Sequence, residues 1–428
     1  MNFPEALAEL EGRRESRMLP DLSRILALAT LLSDPQLTYP SIHVSGTNGK
    51  GTAARVATEL ACAHGLTTGL YTSPHLLSVC ERLSVCGVDI TKGEFAAEYG
   101  HLLPFLLTVD AQSDEQVTYF ETLTALAYLW FADKPVALGV FEVGMGGVWD
   151  ATNLVSGDVA VLTPIALDHP ELGSTIAEVS TEKVGIIKDG RVAVSREQDD
   201  DAMQVIEARC AEVDADLKLE FRDFEVEERL HALGGQALRV RGLHAMYDDL
   251  FLPLFGENAA RNAATAIAAV ESLLDRPLEE DATRKAFANV RWPGRMEIVA
   301  RHPTILLDGA HNPAGAESLA VALREFLTWD RLHLVLAVSA NKDLDGIVRP
   351  LAPLADIAYA ARNASARSGD ALPIARRFGD EGKPVEVFES VAAALDAARA
   401  AADEGDLIVV TGSLYTVADA RRALGVEG

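Results

Sequence analysis

The chain has 428 residues, with 38 lysines and arginines against 64 acidic residues, which gives a formal net charge of −26 at pH 7. Domains of about 100–200 residues predict roughly two or three domains for this length, and a hydrophobic content of 49% is enough for large cores. The negative charge argues against a nucleic-acid partner, because affinity for phosphate backbones comes from lysine and arginine. An anionic substrate must instead be held by local cations, helix N-termini or a metal ion.

Four cysteines occur in the chain, Cys62, Cys80, Cys86 and Cys210. They form no C-x-x-C pair and are too sparse for a disulfide framework in a chain of this length, so a reducing cytoplasm is the expected location. The N-terminal residues lack an apolar signal core, and no run of about 18 apolar residues predicts a membrane-spanning segment. We therefore expect a cytoplasmic protein without membrane or nucleic-acid partners.

Apolar runs typical of strands alternate with alanine-rich helical stretches along most of the chain. This pattern predicts a mostly parallel sheet with helices on both faces. The clearest predicted strands lie at 41–46, 136–144, 158–167, 304–310, 332–339 and 406–413. Each ends in a small or polar residue, and open α/β sheets bind ligands beyond the carboxyl ends of their strands.

The pattern of apolar and polar residues changes between residues 218 and 254. Alternating residues and the Gly234-Gly235 turn predict antiparallel hairpins inserted in the first domain. Helical periodicity returns over 259–274, and Pro293-Gly294 is a candidate hinge. We predict a doubly wound P-loop domain over 1–296 with a small antiparallel insert, followed by a smaller Rossmann-like α/β domain over 297–428.

A glycine-rich loop follows the first predicted strand. Residues 45–52 read SGTNGKGT and precede a predicted helix. Glycines let backbone N–H groups close around phosphate oxygens, Lys50 can reach the β and γ phosphates, and Thr52 can bind Mg²⁺. The strict Walker pattern is not met, because Gly51 separates the lysine from the threonine. An ordinary glycine-rich turn between strand and helix is the alternative.

The sequence does not favour GTP as the nucleotide. The run Asn341-Lys342-Asp343 resembles the start of a guanine-reading N-K-x-D motif. Leu344, however, stands where that motif requires an aspartate.

Acidic residues and histidines end several predicted strands. Glu142 ends a buried strand beside the phosphate loop, where a carboxylate commonly holds Mg²⁺. His169 is either a metal ligand or a histidine hydrogen bonded nearby, because histidine is an unusual magnesium ligand. Lys183 lies on a predicted helix, and its spacing alone favours a solvated lysine. In the second domain, Asp308 can bind ribose hydroxyls or close an Asx turn, and His311 can approach a phosphate.

Taken together, these segments resemble one family over nearly the whole chain, the folylpolyglutamate synthase/dihydrofolate synthase branch of the Mur ligases. The order and spacing of several motifs carry the resemblance. They are SGTNGKGT (45–52), TSPHL (72–76) followed by Glu81-Arg82, TYFETLTALAY (118–128), FEVGMGGVWDATN (141–153), LDH (167–169), EKVGIIK (182–188), NAATA (262–266), PGRMEIV (293–299), DGAHNPAG (308–315) and TGS (411–413).

The resemblance implies an ATP-dependent ligase that joins L-glutamate to a folate or dihydropteroate carboxylate through an acyl phosphate. The expected cofactors are ATP and Mg²⁺, the partners are these small molecules, and the expected oligomeric state is a monomer. It implies ATP contacts from Gly49, Lys50, Gly51, Thr52, Asn262, Arg295 and Asp308, and metal contacts from Thr52, Ser73, Glu142 and His169. It also implies a carbamylated Lys183, a catalytic His311 beside Lys50, and a pterin site at Thr118, Tyr119, Phe120, Trp149, Asp150 and Ala151.

Aromatic residues in the implied pterin site suit a flat ring through stacking. From the residues alone, Tyr119, Phe120 and Trp149 also fit a hydrophobic core.

Three positions depart from the family pattern. Val148 stands where an arginine usually follows the paired glycines, and Asn258-Ala259 replace a His-Gln pair. The segment from His169 to Lys183 is one residue shorter than usual. These departures leave two alternatives open, a Mur-type ligase acting on another carboxylate or amino acid, and a nucleotide-binding paralogue without catalysis.

Overall fold

Two α/β units, each built on its own sheet, organise the chain. The computed structural model describes residues 1–13 and 20–426. Among these residues, no helix is both long enough and apolar enough to cross a membrane.

The first unit begins with a helical N-terminal segment and then alternates strands and helices. It contains α1 (Phe3–Glu11), α2 (Ser23–Leu31), β1 (Ser41–Ser45), α3 (Lys50–Ala63), β2 (Thr68–Tyr71), β3 (Leu83–Val85), β4 (Val88–Asp89), α4 (Lys92–Asp110), α5 (Tyr119–Asp133), β5 (Leu138–Glu142), β6 (Val159–Leu162), α6 (Ile176–Lys183), β7 (Val192–Ser195), α7 (Asp200–Glu212) and β8 (Asp216–Leu219). An antiparallel sheet and two helices follow, β9 (Glu225–Ala232), β10 (Gly235–Arg241), β11 (Met246–Leu252), α8 (Glu257–Leu274) and α9 (Glu280–Asn289).

The second unit repeats the alternation on a smaller scale. It contains β12 (Glu297–Ala300), β13 (Thr304–Leu307), α10 (Pro313–Phe326), β14 (Leu332–Leu336), α11 (Leu344–Leu351), β15 (Ile357–Ala360), α12 (Ala371–Asp380), β16 (Val385–Val387), α13 (Val391–Ala401), β17 (Leu407–Thr411) and α14 (Leu414–Leu424).

Strand order places β1 in the middle of the first sheet. The order is β4-β3-β2-β5-β1-β6-β7-β8, and every pairing from β2 to β8 is parallel. The second sheet has the order β12-β13-β17-β14-β15-β16, with β12 antiparallel at one edge. The loop after β1 therefore lies between those after β5 and β6, because carboxyl ends of parallel strands meet at one edge.

Small residues let helices approach the first sheet closely. On one face, Ala53 and Ala57 of α3 pack in the same fully buried cluster as Ala264 and Ala268 of α8. The opposite face is covered by α4 and α5 with larger aromatic residues such as Tyr128. The expected doubly wound α/β architecture is thereby confirmed.

The antiparallel insert is present, but it begins later than residue 218. Lys218 pairs in the parallel sheet as part of β8, and only β9 to β11 form the separate three-stranded sheet. Glu271 of α8 anchors this insert, since its fully buried carboxylate accepts hydrogen bonds from the Leu243 N–H and the Tyr247 hydroxyl, both at 2.6 Å. The second sheet starts at Glu297, and we propose a domain boundary between residues 296 and 297.

One cysteine pair departs from the sequence-based expectation. Cys62 and Cys86 form a disulfide, whereas Cys80 and Cys210 are buried and free. The cause is the sheet register: β3 runs antiparallel to β2, so Cys86 after β3 returns beside Thr68, just past the end of α3. Spacing along the chain does not reveal this proximity.

Reduction of the Cys62–Cys86 bond is expected to destabilise the first unit. The bond closes a loop with a sequence separation of 24, for which the chain-entropy model gives about 3 kcal/mol. Urea unfolding with and without dithiothreitol should resolve this difference. A Cys62→Ser/Cys86→Ser variant should unfold like the reduced protein and not respond to dithiothreitol; equal midpoints for all samples would contradict the prediction.

Candidate functional site

A cavity of about 1120 Å³ lies between the two units. It is lined by the loops that follow β1, β2, β5 and β6 of the first sheet and β13, β14 and β17 of the second. All residues that the sequence predicts for the site line it. They are Gly49, Lys50, Gly51, Thr52, Ser73, Thr118, Tyr119, Phe120, Glu142, Trp149, Asp150, Ala151, His169, Lys183, Asn262, Arg295, Asp308 and His311.

The glycine-rich loop wraps the N-terminus of α3. Gly49 has a φ of +89°, and a Cβ there would lie 2.2 Å from Asn262 Nδ2. Only glycine fits this position, so the loop backbone can approach both Asn262 and a ligand closely. Lys50 is the first residue of α3, which places its ammonium group where the helix dipole already favours an anion.

Two lysines converge on one backbone carbonyl. Lys183 Nζ donates to Gly46 O at 2.7 Å, and Lys50 Nζ donates to the same oxygen at 3.2 Å. Lys183 is 4% exposed, so the solvated-lysine alternative is wrong. Burial, followed by the nearby Lys50 charge, lowers the pKa of Lys183 to about 7. A lysine in this position carries a neutral amine for much of the time at neutral pH.

Glu142 is a negatively charged residue at the end of the cavity formed by the glycine-rich loop and Lys50, which we call the phosphate end. It ends β5, is 6% exposed and accepts a hydrogen bond from the Ser73 N–H at 3.2 Å. Burial raises the pKa of Glu142, while Lys50 and the Ser73 N–H oppose the shift. A carboxylate held in this way attracts a cation, as a metal ligand must.

Asp168 connects the first unit to the second. Its carboxylate lies 2.6 Å from Lys342 Nζ and 3.6 Å from His311 Nε2, and 3.3 Å from the neighbouring His169 Nε2. Burial acts to raise the pKa of Asp168, but the nearby His311 and the hydrogen bond from Lys342 outweigh it and lower the pKa. Burial lowers the pKa of His169 to about 4, so this imidazole is neutral near pH 7 with a lone pair for a metal.

Two asparagines form a second contact between the units. Asn48 of the glycine-rich loop and Asn312 exchange amide hydrogen bonds at 3.2 and 3.0 Å. Asn312 also caps α10 through the Gly315 N–H. The phosphate loop is therefore connected directly to a helix of the second unit.

Asp308 organises the segment that enters the cavity from the second sheet. Its carboxylate accepts the N–H groups of Met296 and Ala310 at 2.9 and 2.8 Å. Burial raises the pKa of Asp308, opposed first by Arg295. The hydrogen bond from the Ala310 N–H fits the Asx-turn alternative. The position of Asp308 in the cavity wall is also compatible with a nucleotide contact.

A buried ion network supports Asn262 and involves residues that sequence reasoning missed. Arg196 is 1% exposed, donates to Asn262 Oδ1 at 2.6 Å, and pairs with Glu220 at 2.8 Å. It also donates to Asn258 Oδ1 at 3.3 Å, and Asn258 in turn donates to Ser318 of α10. The departure at Asn258 thus lies in a polar chain between the two units.

The residues of the implied pterin site, 118–120 and 149–151, line the other end of the cavity, which we call the acceptor end. Asp150 is buried and accepts the Thr152 hydroxyl at 2.5 Å and the Met145 N–H at 3.0 Å. Tyr119 and Phe120 are partly buried against the core, whereas Trp149 is 40% exposed. A core role is therefore wrong for Trp149.

Additional charged residues line the acceptor end. Asp21, Arg24 and Arg82 of the first unit line the cavity, and so does Lys342 of the second unit, where it pairs with Asp168. The sequence indicates two of these residues in part. Arg82 lies in a motif of the family resemblance, and Lys342 lies in the run that resembles a guanine-reading motif. Val148 lies outside this lining and packs toward Gly185.

Comparison with known proteins decides the family. The model of the Mur ligase middle domain matches residues 44–270, and that of the Mur ligase glutamate ligase domain matches residues 294–414. The dihydrofolate synthase/folylpolyglutamate synthase of Mycobacterium tuberculosis is 42% identical over 404 residues, which cover 89% of this chain and 82% of the relative. The chain belongs to the folylpolyglutamate synthase/dihydrofolate synthase family.

Solved structures of this family agree with the fold. Mycobacterium tuberculosis folylpolyglutamate synthase complexed with ADP is 40% identical with a TM-score of 0.96, and the match covers 99% of this chain and 98% of that chain. A folylpolyglutamate synthase complex with AMPPCP and folate is 31% identical with a TM-score of 0.88, and covers 99% and 100% of the two chains. The predicted class of enzyme, an ATP-dependent ligase of the Mur type, is confirmed.

Lys183 should make the stability of this family member depend on pH. Its pKa is lower in the folded protein than in the unfolded chain, so between about pH 7 and 10 the unfolded chain binds more protons. The free energy of unfolding then rises with pH by at most about 1.4 kcal/mol per pH unit. Urea unfolding in CO₂-free buffers from pH 7 to 9 should show this rise in wild type relative to Lys183→Met. A difference that does not change with pH would contradict the assignment.

Proposed function

We propose that the chain joins L-glutamate to a carboxylate of a folate or of dihydropteroate through an acyl-phosphate intermediate. The observation that carries the proposal is the convergence, in one cavity, of the phosphate loop with Lys50, the buried carboxylate of Glu142, and the aromatic side chains of Tyr119 and Phe120. The names of the relatives and the folate in the related complex support these substrates.

The reaction divides into two transfers. The acceptor carboxylate attacks the γ phosphorus of ATP, the bond to the β,γ-bridging oxygen breaks, and ADP leaves. The glutamate amine then attacks the acyl carbon, loses a proton, and expels inorganic phosphate. Negative charge accumulates at the phosphoryl group in the first transfer, so Lys50 and the N–H groups at the start of α3 stabilise its transition state. Because these groups are already positioned, little reorganisation is needed.

The residues fit a divalent cation at the phosphate end. Oxygen donors from Thr52, Ser73 and Glu142, with the neutral His169, would hold Mg²⁺, which would balance the buried charge of Glu142. When bound, Mg²⁺ supplies positive charge to the phosphate oxygens. His311 donates from Nδ1 to Gly309 O at 2.9 Å, which directs its Nε2 into the cavity beside Asp168. We assign this histidine to the phosphoryl group.

We also propose that Lys183 is carbamylated. Formation of a carbamate requires a neutral amine that attacks CO₂ and loses a proton, and the low pKa of Lys183 provides that amine. Within the described residues, the Lys183 amine has its one hydrogen bond to the backbone carbonyl of Gly46. The anion that replaces it would lie near the residues proposed to bind the metal. Cytoplasmic location and a monomeric state remain predictions of the sequence.

The proposed function is tested by ADP release with Mg²⁺, ATP and glutamate. We expect release with reduced folylmonoglutamate, with dihydropteroate, or with both, and product mass should increase by one glutamate. Omitting glutamate is the control for uncoupled hydrolysis. Release with a different carboxylate or amine in a wider screen would instead indicate another Mur-type acceptor. Nucleotide binding without turnover for any acceptor would indicate a non-catalytic paralogue.

The carbamate is tested with Lys183→Ala. We expect loss of most ligase activity, on the order of 100-fold for a group that supports a metal ligand set. High bicarbonate should not help this variant, but a short-chain carboxylate such as acetate should partly restore activity by occupying the vacated space. Lys188→Ala, which removes a half-buried lysine that donates to Asn153 O, serves as the control for nonspecific rescue. Full activity of Lys183→Ala without additives would exclude the carbamate.

A further inference from the structure

The loop from Thr72 to Arg82 holds an arginine in the cavity wall. The Thr72 N–H donates to Arg82 O at 3.0 Å and closes the base of the loop. The Glu81 carboxylate accepts three successive backbone N–H groups, those of residues 76, 77 and 78, at 2.7, 2.8 and 2.7 Å. Glu81 therefore orders the loop, and the adjacent Arg82 lines the cavity.

The guanidinium group of Arg82 is held in one orientation. The residue is 8% exposed, its Nε donates to His75 Nδ1 at 2.9 Å, and its Cζ lies 5.5 Å from the centre of the Tyr119 ring. Burial, and after it the Arg82 charge, lowers the pKa of His75 to about 3, so the imidazole stays neutral and keeps its acceptor. Because Nε is the atom that donates to His75 and the residue lines the cavity, the terminal guanidinium nitrogens are the ones that can donate to a ligand.

Arg82 differs from the other deeply buried arginines nearby in its charge balance. Arg24, which lines the same cavity, pairs with Glu121 at 3.0 Å, and Arg196 pairs with Glu220 at 2.8 Å. Within the described part of the chain, no carboxylate lies within 4.0 Å of the Arg82 guanidinium. A buried cation without an anionic partner is costly, and a guanidinium fork matches a carboxylate geometrically.

The position of Arg82 distinguishes between two carboxylates of the proposed acceptor. The terminal glutamyl group of a folate has a reacting γ-carboxylate and an α-carboxylate, whereas dihydropteroate has only the carboxylate that reacts. The reacting group must reach the phosphate end at Lys50. Arg82 stacks instead on Tyr119 of the acceptor end, although its charge is among those that oppose the burial-driven rise in the pKa of Glu142. The α-carboxylate does not react, so it can bind Arg82 at the acceptor end while the γ-carboxylate reaches Lys50 at the phosphate end.

We propose that Arg82 binds the α-carboxylate of the terminal glutamyl group of a folate acceptor, and thereby favours glutamylated folates over dihydropteroate. This inference rests on the proposed function. It makes Arg82 a specificity-determining residue and His75 the residue that positions it.

The test compares reduced folylmonoglutamate with its α-carboxamide in wild type and in Arg82→Gln. Removing either partner of the ion pair should raise KM for the acceptor by about 10- to 100-fold, as for hydrogen bonds between charged groups. Combining the variant with the carboxamide should add little further loss, because the same contact is already absent. Arg82→Lys should recover part of the affinity, since it keeps the charge without the fork.

Two controls separate recognition from folding. KM for ATP and the unfolding midpoint of Arg82→Gln should match wild type, and Arg229→Gln, which removes an arginine paired with Glu325 outside the cavity, should not change KM for either acceptor. Where dihydropteroate is also a substrate, its KM should change less than about threefold in Arg82→Gln.

Several results would overturn the inference. A multiplicative loss from the variant and the carboxamide would mean that Arg82 does not contact the α-carboxylate. Equal losses with dihydropteroate would place Arg82 on the reacting carboxylate, and unchanged KM values would exclude a role in binding. A wild-type enzyme that uses dihydropteroate but not folylmonoglutamate would also refute it. Wild-type protein inactive with every folate acceptor would instead refute the proposed function itself.

Discussion

The carbonyl of Gly46, at the end of the central strand β1, receives two lysine ammonium groups in a buried place. Lys50 comes from the start of α3 and Lys183 from the end of α6, and their contact with one oxygen crowds two positive charges together. The electrostatics of the site follows from this crowding. Lys183 loses affinity for its proton, and the buried Glu142 on the neighbouring strand gains a cationic surrounding that stabilises its charge.

The site is complete only when the second unit is in place. Lys342 pairs with Asp168, and Asn312 exchanges hydrogen bonds with Asn48 of the phosphate loop. Both contacts join strand-end loops of one sheet to those of the other. Because a phosphoryl transfer depends on positioning and on exclusion of water, contacts that fix the two units around the phosphate loop are part of the chemistry as well as of the fold.

The acceptor end follows a different physical principle. Flat aromatic side chains provide surface area for contact with a ligand, while the polar residues Asp150 and Arg82 provide groups that can orient it. Asp150 has its charge balanced by backbone and hydroxyl donors, so it can face a neutral ring with hydrogen-bonding edges. Arg82 is held by a neutral histidine, which orients the guanidinium without neutralising it. The charge of Asp150 is thus compensated by protein donors, whereas the Arg82 guanidinium keeps its charge for the carboxylate that we propose it binds.

Much of this arrangement could be predicted from local sequence. Apolar runs, the glycine-rich loop and the polar strand ends determine a doubly wound fold and place Lys50, Glu142 and His169 at one sheet edge, since these features depend on neighbouring residues. Tertiary structure alone decided the burial and lowered pKa of Lys183, the partnership of Lys342 with Asp168, the Cys62–Cys86 bond, and the lack of a carboxylate partner for Arg82 among the described residues. Each depends on which strands become neighbours and on the electrostatic surroundings in three dimensions, and spacing along the chain contains neither.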